Sequence, residues 1–345
     1  MLLSRRYKIL EVLGSGGMSQ TYMAEDTQRP GRPKCVVKQL KPPRGNAAFL
    51  SIVHRLFKQE AYILERLGGH NQIPRLLAYF SQRQEFYLVQ EYIDGHTLAA
   101  ELPQGRRWSE QQVIQLLKEI LEILNFVHEQ GVIHRDIKPE NLIRRRSDGK
   151  LVLIDFGAVK QVQFPEAVAS AHISMTAPIG TPGYMPTEQA TGRPYLSSDL
   201  HAVGIIGIQA LTGLRPQQLQ RDIEGKLVWP DKTEASRGLA EFLTKIAHPY
   251  FHRRYKTAKE ALQVLHQLER FKPVSILTLP QIPTIFQTTT TSLRRDFHHS
   301  PLISGVFTAV AIAAFIFGFH IASYQAVTPG EQNSAPSIGV ATTSQ

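Results

Sequence analysis

Near residue 93 the chain changes character, and no other feature of its sequence restricts the fold as much. Up to that point the residues read mostly as short strands, with turn signals at Gly14 to Gly17 and at Pro30-Gly31 and one helical stretch from about Phe49 to Leu67. Beyond it the pattern is helical. Ser109-Glu110-Gln111-Gln112 is a capping box, and the run from Val113 to Val127 spreads apolar residues over so wide a helical face that burial is required, with Gly131 as the stop. A second buried helix is expected from about Ser197 to Leu211, closed by Gly213. Strands first and helices later predict an α+β protein in two lobes, a small β-rich one over about 5–93 and a larger helical one over about 94–271.

From Lys272 to Pro301 the text turns irregular, with Pro273, Pro280 and Pro283 and the run Thr288-Thr289-Thr290-Thr291-Ser292, which reads as a linker. Leu302 to Tyr324 carries no Asp, Glu, Lys or Arg. At about 1.5 Å of rise per residue it is long enough to cross a hydrocarbon core of about 30 Å. Arg294, Arg295, His298 and His299 precede it, while Glu331 is the one charged residue of the tail over 325–345. The positive-inside bias then predicts a single-pass membrane protein, with its N-terminal domain in the cytoplasm and a short tail outside. A buried core helix is the alternative for this segment. The tail is too short and polar to form a sensor domain.

The formal charge of +10 attracts phosphates, nucleic acid or an anionic membrane without choosing among them. A single cysteine, Cys35, excludes an intramolecular disulfide and a multi-cysteine zinc site, which suits a reducing compartment. The opening Met1-Leu2-Leu3-Ser4-Arg5-Arg6 is a poor secretory signal. Arg144-Arg145-Arg146 offers a nucleic-acid footprint, but Ser147-Asp148-Gly149 behind it is a hairpin turn and no stacking aromatics accompany it, so a solvated basic turn is the preferred reading and no nucleic-acid partner is expected.

Gly14-Ser15-Gly16-Gly17-Met18-Ser19, between two strand-like segments, would let backbone N–H groups approach phosphates; taken alone, a bare glycine turn in a hairpin is the preferred reading. Cys35-Val36-Val37-Lys38 reads as a strand delivering one lysine inward, and Glu60 follows on a helix, a pair able to hold the ammonium against the α- and β-phosphates of a nucleotide. The words His134-Arg135-Asp136-Ile137-Lys138-Pro139-Glu140-Asn141 and, nineteen residues after Asp136, Asp155-Phe156-Gly157 complete the set.

With these motifs, residues from about Tyr7 to Phe271 resemble the eukaryotic-like (Hanks-type) serine/threonine protein kinases of bacteria, and the wording around Cys35-Val36-Val37-Lys38 and Ile154-Asp155-Phe156-Gly157-Ala158-Val159-Lys160 is similar to a cyanobacterial branch. The resemblance implies a kinase domain over 5–271 that transfers the γ-phosphoryl group of ATP, with Mg2+ or Mn2+, to protein Ser/Thr hydroxyls. It implies Asp136 as the base and Lys138 as the neutralising cation, with Asn141 and Asp155 on the metal. ATP would be held by Leu13, Gly14, Ser15, Gly16, Gly17, Met18, Ser19, Thr21, Val36, Lys38 and Glu60, and by the backbone of Glu91 and Ile93, with Gln90 as gatekeeper. Leu64, Leu76, His134 and Phe156 match an apolar column between the lobes. Asp199 matches the acid anchoring the catalytic loop, and Arg254 the partner of Glu188. Ser170, Ser174, Thr176 and Thr181 are the phosphorylation candidates, with Arg135 as the phosphate clamp; Thr181 also matches a structural threonine that contacts Asp136 and Lys138. Autophosphorylation, and pairing of two copies for it, are expected.

Four departures bear on activity: Ser19 in place of the third glycine, Thr21 for a valine, Val36 for an alanine, and Pro186-Thr187 before Glu188. In a hydrophobic pocket such changes alter nucleotide affinity by about 1–3 kcal/mol. They keep open a second reading, a nucleotide-binding pseudokinase acting as a scaffold.

Overall fold

A computed structural model describes residues 2–15, 19–41, 47–83, 85–158, 160–161 and 180–270. Gly16, Gly17, Met18, Ser170, Ser174 and Thr176, together with the expected linker, membrane segment and tail, lie outside the described residues. Among the described residues no helix is long and apolar enough to cross a membrane.

The first lobe is a six-stranded antiparallel sheet: β1 (Leu2–Leu3), β2 (Tyr7–Ser15), β3 (Ser19–Asp26), β4 (Lys34–Leu40), β5 (Leu76–Gln82) and β6 (Glu85–Glu91), in the order β1-β2-β3-β4-β6-β5. Helix α1 (Ala47–Leu67) packs against β5 and β6. Side chains of a strand alternate between faces, and β4 shows the result: Cys35, Val37 and Gln39 are buried on one face, while Val36 and Lys38 turn to the other. The Cys35 face carries a small core of its own, formed with Leu3, Tyr7, Ala24, Tyr87 and Val89. Burial raises the Cys35 thiol to about 11, so it behaves as an apolar group there.

The second lobe begins with β7 (Gly95–Thr97) and α2 (Leu98–Glu101), then α3 (Glu110–Glu129), β8 (Val132–Ile133), β9 (Leu142–Arg145), β10 (Leu151–Leu153) and β11 (Lys160–Gln161). After these come α4 (Thr187–Ala190), α5 (Leu196–Thr212), the hairpin β12 (Gln220–Arg221) and β13 (Leu227–Val228), α6 (Arg237–Ile246) and α7 (Ala258–Arg270). Ser109 caps α3 through the reciprocal bonds with Gln112 that the sequence predicts. Helix α5 is buried on every side from Ser197 to Thr212, its polar Asp199, His201 and Gln209 included. At Gly207 it meets α3 and α6 so closely that a Cβ would stand 2.7 Å from Leu243 and 3.0 Å from Leu117. Gly213 ends it in the left-handed conformation, φ 69°.

The three arginines before the β9–β10 turn are all paired. Arg144 bonds Glu101 and Glu119, Arg145 bonds Asp148, and Arg146 lies 3.3 Å from Asp94. Their charge is thus spent on tying β9 to α2, α3 and the segment before β7.

Candidate active site

Lys38 reaches the space between the lobes because β4 alternates. Its Nζ lies 2.9 Å from Glu60 Oε1 on α1 and 2.7 Å from Asp155 Oδ1. Burial works against the ammonium, but Glu60 and Asp155 outweigh it and hold the lysine above its usual range. In return Lys38 pulls Asp155 down to about 2, so this carboxylate is anionic at neutral pH. Asp155 has φ 66°, a conformation that costs a non-glycine residue about 1 kcal/mol or more. Gly157 follows for a steric reason: a Cβ there would stand 2.7 Å from Lys38 Nζ and 3.2 Å from Glu60 Oε2.

The segment between β8 and β9 carries Asp136, Lys138 and Asn141. Its anchor is Asp199, fully buried on α5, whose Oδ2 accepts from the backbone N–H of His134 and whose Oδ1 accepts from that of Arg135, both at 2.8 Å. Oδ2 also lies 2.9 Å from His128 Nε2. Burial opposes the Asp199 charge, yet these partners bring its pKa below the ordinary value. With the loop so held, Asn141 Nδ2 donates to the Asp136 carbonyl (2.8 Å) and to Asp136 Oδ2 (3.0 Å). Lys138 Nζ sits 2.8 Å from Asp136 Oδ2 and donates to Thr181 Oγ1 at 2.9 Å, while Thr181 donates to Asp136 Oδ1 at 2.7 Å. Of the phosphorylation candidates, Thr181 is therefore engaged by Asp136 and Lys138 together. Arg135 is half-buried, its Nε buried without a hydrogen-bond partner among the described residues, and the burial lowers its pKa.

Between the lobes lies a cavity of about 500 Å³, within the size range of small-molecule sites. Leu13, Gly14, Thr21, Val36, Lys38, Glu60, Gln90, Glu91, Ile93, Asn141 and Asp155 all line it, and Ser19 opens the strand that carries Thr21. Glu91 spends its amide on the Arg75 carbonyl (2.9 Å), so its backbone N–H is not available to a ligand. The sequence reading did not single out Ile143 and Ile154, which also line the cavity; the alternation Leu142-Ile143 in β9 is the signal that puts one residue in the core and the next toward the cleft. His134 and Phe156 meet edge to face, ring centroids 4.9 Å apart, and Leu64 is buried with Leu76 packed on the same core.

The start of α4 is fastened separately. Arg254, with its side chain fully buried, places its guanidinium 2.6 Å from Glu188 Oε1 and 3.1 Å from Oε2. It also donates to the carbonyls of Ser197, His248 and Pro249. Glu188 accepts in addition from Ser198 Oγ at 2.7 Å.

The sequence profile of the protein kinase domain matches residues 7–269. The chain belongs to the protein kinase domain family. Over 267 residues, 76% of this chain and 47% of the relative, it is 43% identical to the serine/threonine-protein kinase PknA of Nostoc sp.. It is likewise 43% identical to serine/threonine-protein kinase B of Synechocystis sp. over 76% of this chain and 46% of that protein. At 31% identity, over 62% of this chain and 58% of the relative, it resembles calcium/calmodulin-dependent protein kinase type 1 of Caenorhabditis elegans. The chain spans about half the length of the cyanobacterial relatives.

A kinase domain uses ATP and a divalent metal, and the donor set here fits both. Asn141 gives its amide hydrogens to Asp136, which turns its oxygen free, and Asp155 is held anionic by Lys38. Two oxygen donors suit a hard cation that completes its shell with phosphate and water. Bound there, the metal would neutralise charge on the phosphates. Among the described residues no cluster of three or more His, Cys, Asp or Glu is placed to hold a metal ion.

Proposed function

We propose that this kinase domain transfers the γ-phosphoryl group of Mg-ATP to serine or threonine hydroxyls of proteins. The observation that carries the reading is the closed set Asp136, Thr181 and Lys138, within 2.9 Å of one another. It puts a carboxylate base beside a cation, one to take the acceptor's proton and one to balance charge on the transferred group. Asn141 and Asp155 supply the metal ligands, and Lys38 the contact to the α- and β-phosphates. The printed names of the relatives support Ser/Thr as the acceptor. The test is transfer of labelled γ-phosphate from Mg-ATP by the chain to itself and to a generic basic protein. Labelled phosphoserine or phosphothreonine is expected; nucleotide binding without transfer would favour the scaffold reading, for which Thr21, Val36 and Ser19 are the motive.

Autophosphorylation between two copies belongs to the same reading, with Ser170, Ser174 and Thr176 as targets and Arg135 as the clamp. So does attachment to a membrane by residues 302–324, with the kinase domain in the cytoplasm. Sedimentation of the chain with membranes, lost on deleting those residues, is the expected outcome.

A further inference from the structure

The peptide unit that carries Asp136 is held from two directions. On its N-terminal side Arg135 donates its N–H to Asp199. On the other side the Arg135 carbonyl accepts a hydrogen bond from Gln189 Nε2 at 2.5 Å. That carbonyl shares a rigid plane with the N–H of Asp136. Whatever orients the carbonyl therefore orients the backbone from which the Asp136 carboxylate projects. Arg135 itself stands at φ 73°, a conformation that persists in a non-glycine residue only when its surroundings impose it.

Gln189 is suited to impose it. Its side chain is buried, 2% exposed, and it sits on α4 next to Glu188, which the buried Arg254 fixes. Gly180, just before Thr181, completes the contact: a Cβ there would stand 2.5 Å from Gln189 Nε2 and 3.1 Å from the Arg135 oxygen. Three stretches distant in sequence thus converge on one carbonyl. Thr181 touches the carboxylate of Asp136 directly, whereas Gln189 touches the peptide that aims it.

Resting on the kinase reading above, we propose that Gln189 is a positioning residue, which transmits the placement of α4 and the residue Gly180 to the catalytic base through the Arg135 carbonyl. It predicts an effect on turnover and little on nucleotide binding, because Gln189 is absent from the lining of the cleft. It also predicts that a hydrogen-bond donor, and not merely the shape of glutamine, is required.

The experiment uses the full chain with Mg-ATP and a peptide acceptor, comparing the wild type with Gln189→Leu and Gln189→Glu. The leucine variant is expected to lose about tenfold in kcat, with the KM for ATP within about twofold. Glutamate can donate to the carbonyl only when protonated, and burial raises a carboxyl above its ordinary value of about 4.3. The kcat of Gln189→Glu relative to wild type should therefore rise as the pH is lowered from about 8 to about 6. A ratio flat with pH, or a leucine variant with wild-type kcat, overturns the proposal while leaving the kinase reading intact. If the leucine variant fails to fold, the pH ratio of the glutamate variant decides alone. A wild-type chain that transfers no phosphate overturns the kinase reading, and this proposal with it.

Discussion

Thr181 donates its hydroxyl to Asp136 and in the same geometry accepts from Lys138, so one side chain is both donor and acceptor in the proposed catalytic cluster. Hydrogen bonds to charged groups contribute about 1.5–3 kcal/mol, and tenfold in rate is about 1.4 kcal/mol. Thr181→Ala should lower single-turnover phosphoryl transfer by about 10- to 100-fold, and Thr181→Ser by no more than about threefold. Equal losses in both would show that the methyl group, not the hydroxyl, matters.

Asp136→Asn keeps the shape of the base and removes its basicity. General-base catalysis is worth about 10²- to 10⁴-fold, and transfer should fall by that factor. Nucleotide affinity, measured by titration, should change by less than about twofold, because Asp136 does not line the cleft. A parallel collapse of both quantities would point instead to a misfolded loop.

Arg254 and Glu188 form a buried ion pair, and removing one partner of such a pair costs about 3–5 kcal/mol because the other charge stays buried and alone. Chemical denaturation of Glu188→Gln and of Arg254→Met should each show a loss of this order. The double variant should lose clearly less than the sum of the two. Strict additivity would mean the residues act independently.

Asp26, 1% exposed, accepts both a 2.8 Å and a 2.7 Å bond from Arg6, and this pairing holds its carboxyl below the usual value. A depressed pKa stabilises the fold at pH values above the unfolded value of about 3.9, and that stability is lost as the pH falls through the folded value. Asp26→Asn should therefore be less stable than wild type at pH 7 by about 1–3 kcal/mol, with the gap narrowing below about pH 4. A gap constant down to pH 2 would assign the loss to packing.

Residues whose chemistry demands convergence were legible before any coordinates. Lys38, Glu60 and Asp155 stand far apart in sequence, yet each is a charge with no purpose in isolation, and they meet within 2.9 Å. The two-lobed division followed from periodicity, and α3 and α5 only extend a residue or a few beyond the expected helices. Gln189 was invisible for a physical reason: its partner is a backbone carbonyl, which every residue has, so nothing in the text marks the pairing. Leu2 and Leu3 were equally silent. Two residues are too few for a periodicity, and their strand exists because β2 offers an edge beside the Tyr7 core. The acids that neutralise Arg144 and Arg146 lie mostly on other elements, so the run of three arginines could not display its own partners.

Helix α5 has no face left for solvent, and both the loop bearing Asp136 and Glu188 at the start of α4 are hydrogen-bonded to it. Its amides can exchange with deuterated water only when the lobe as a whole opens, so they should report the global unfolding free energy. The loop bearing Asp136 is therefore expected to rest on the slowest-exchanging part of the lobe. A change that assembled or dispersed what stands on that platform would leave these amides protected, whereas a change in the platform itself would show as faster exchange along α5.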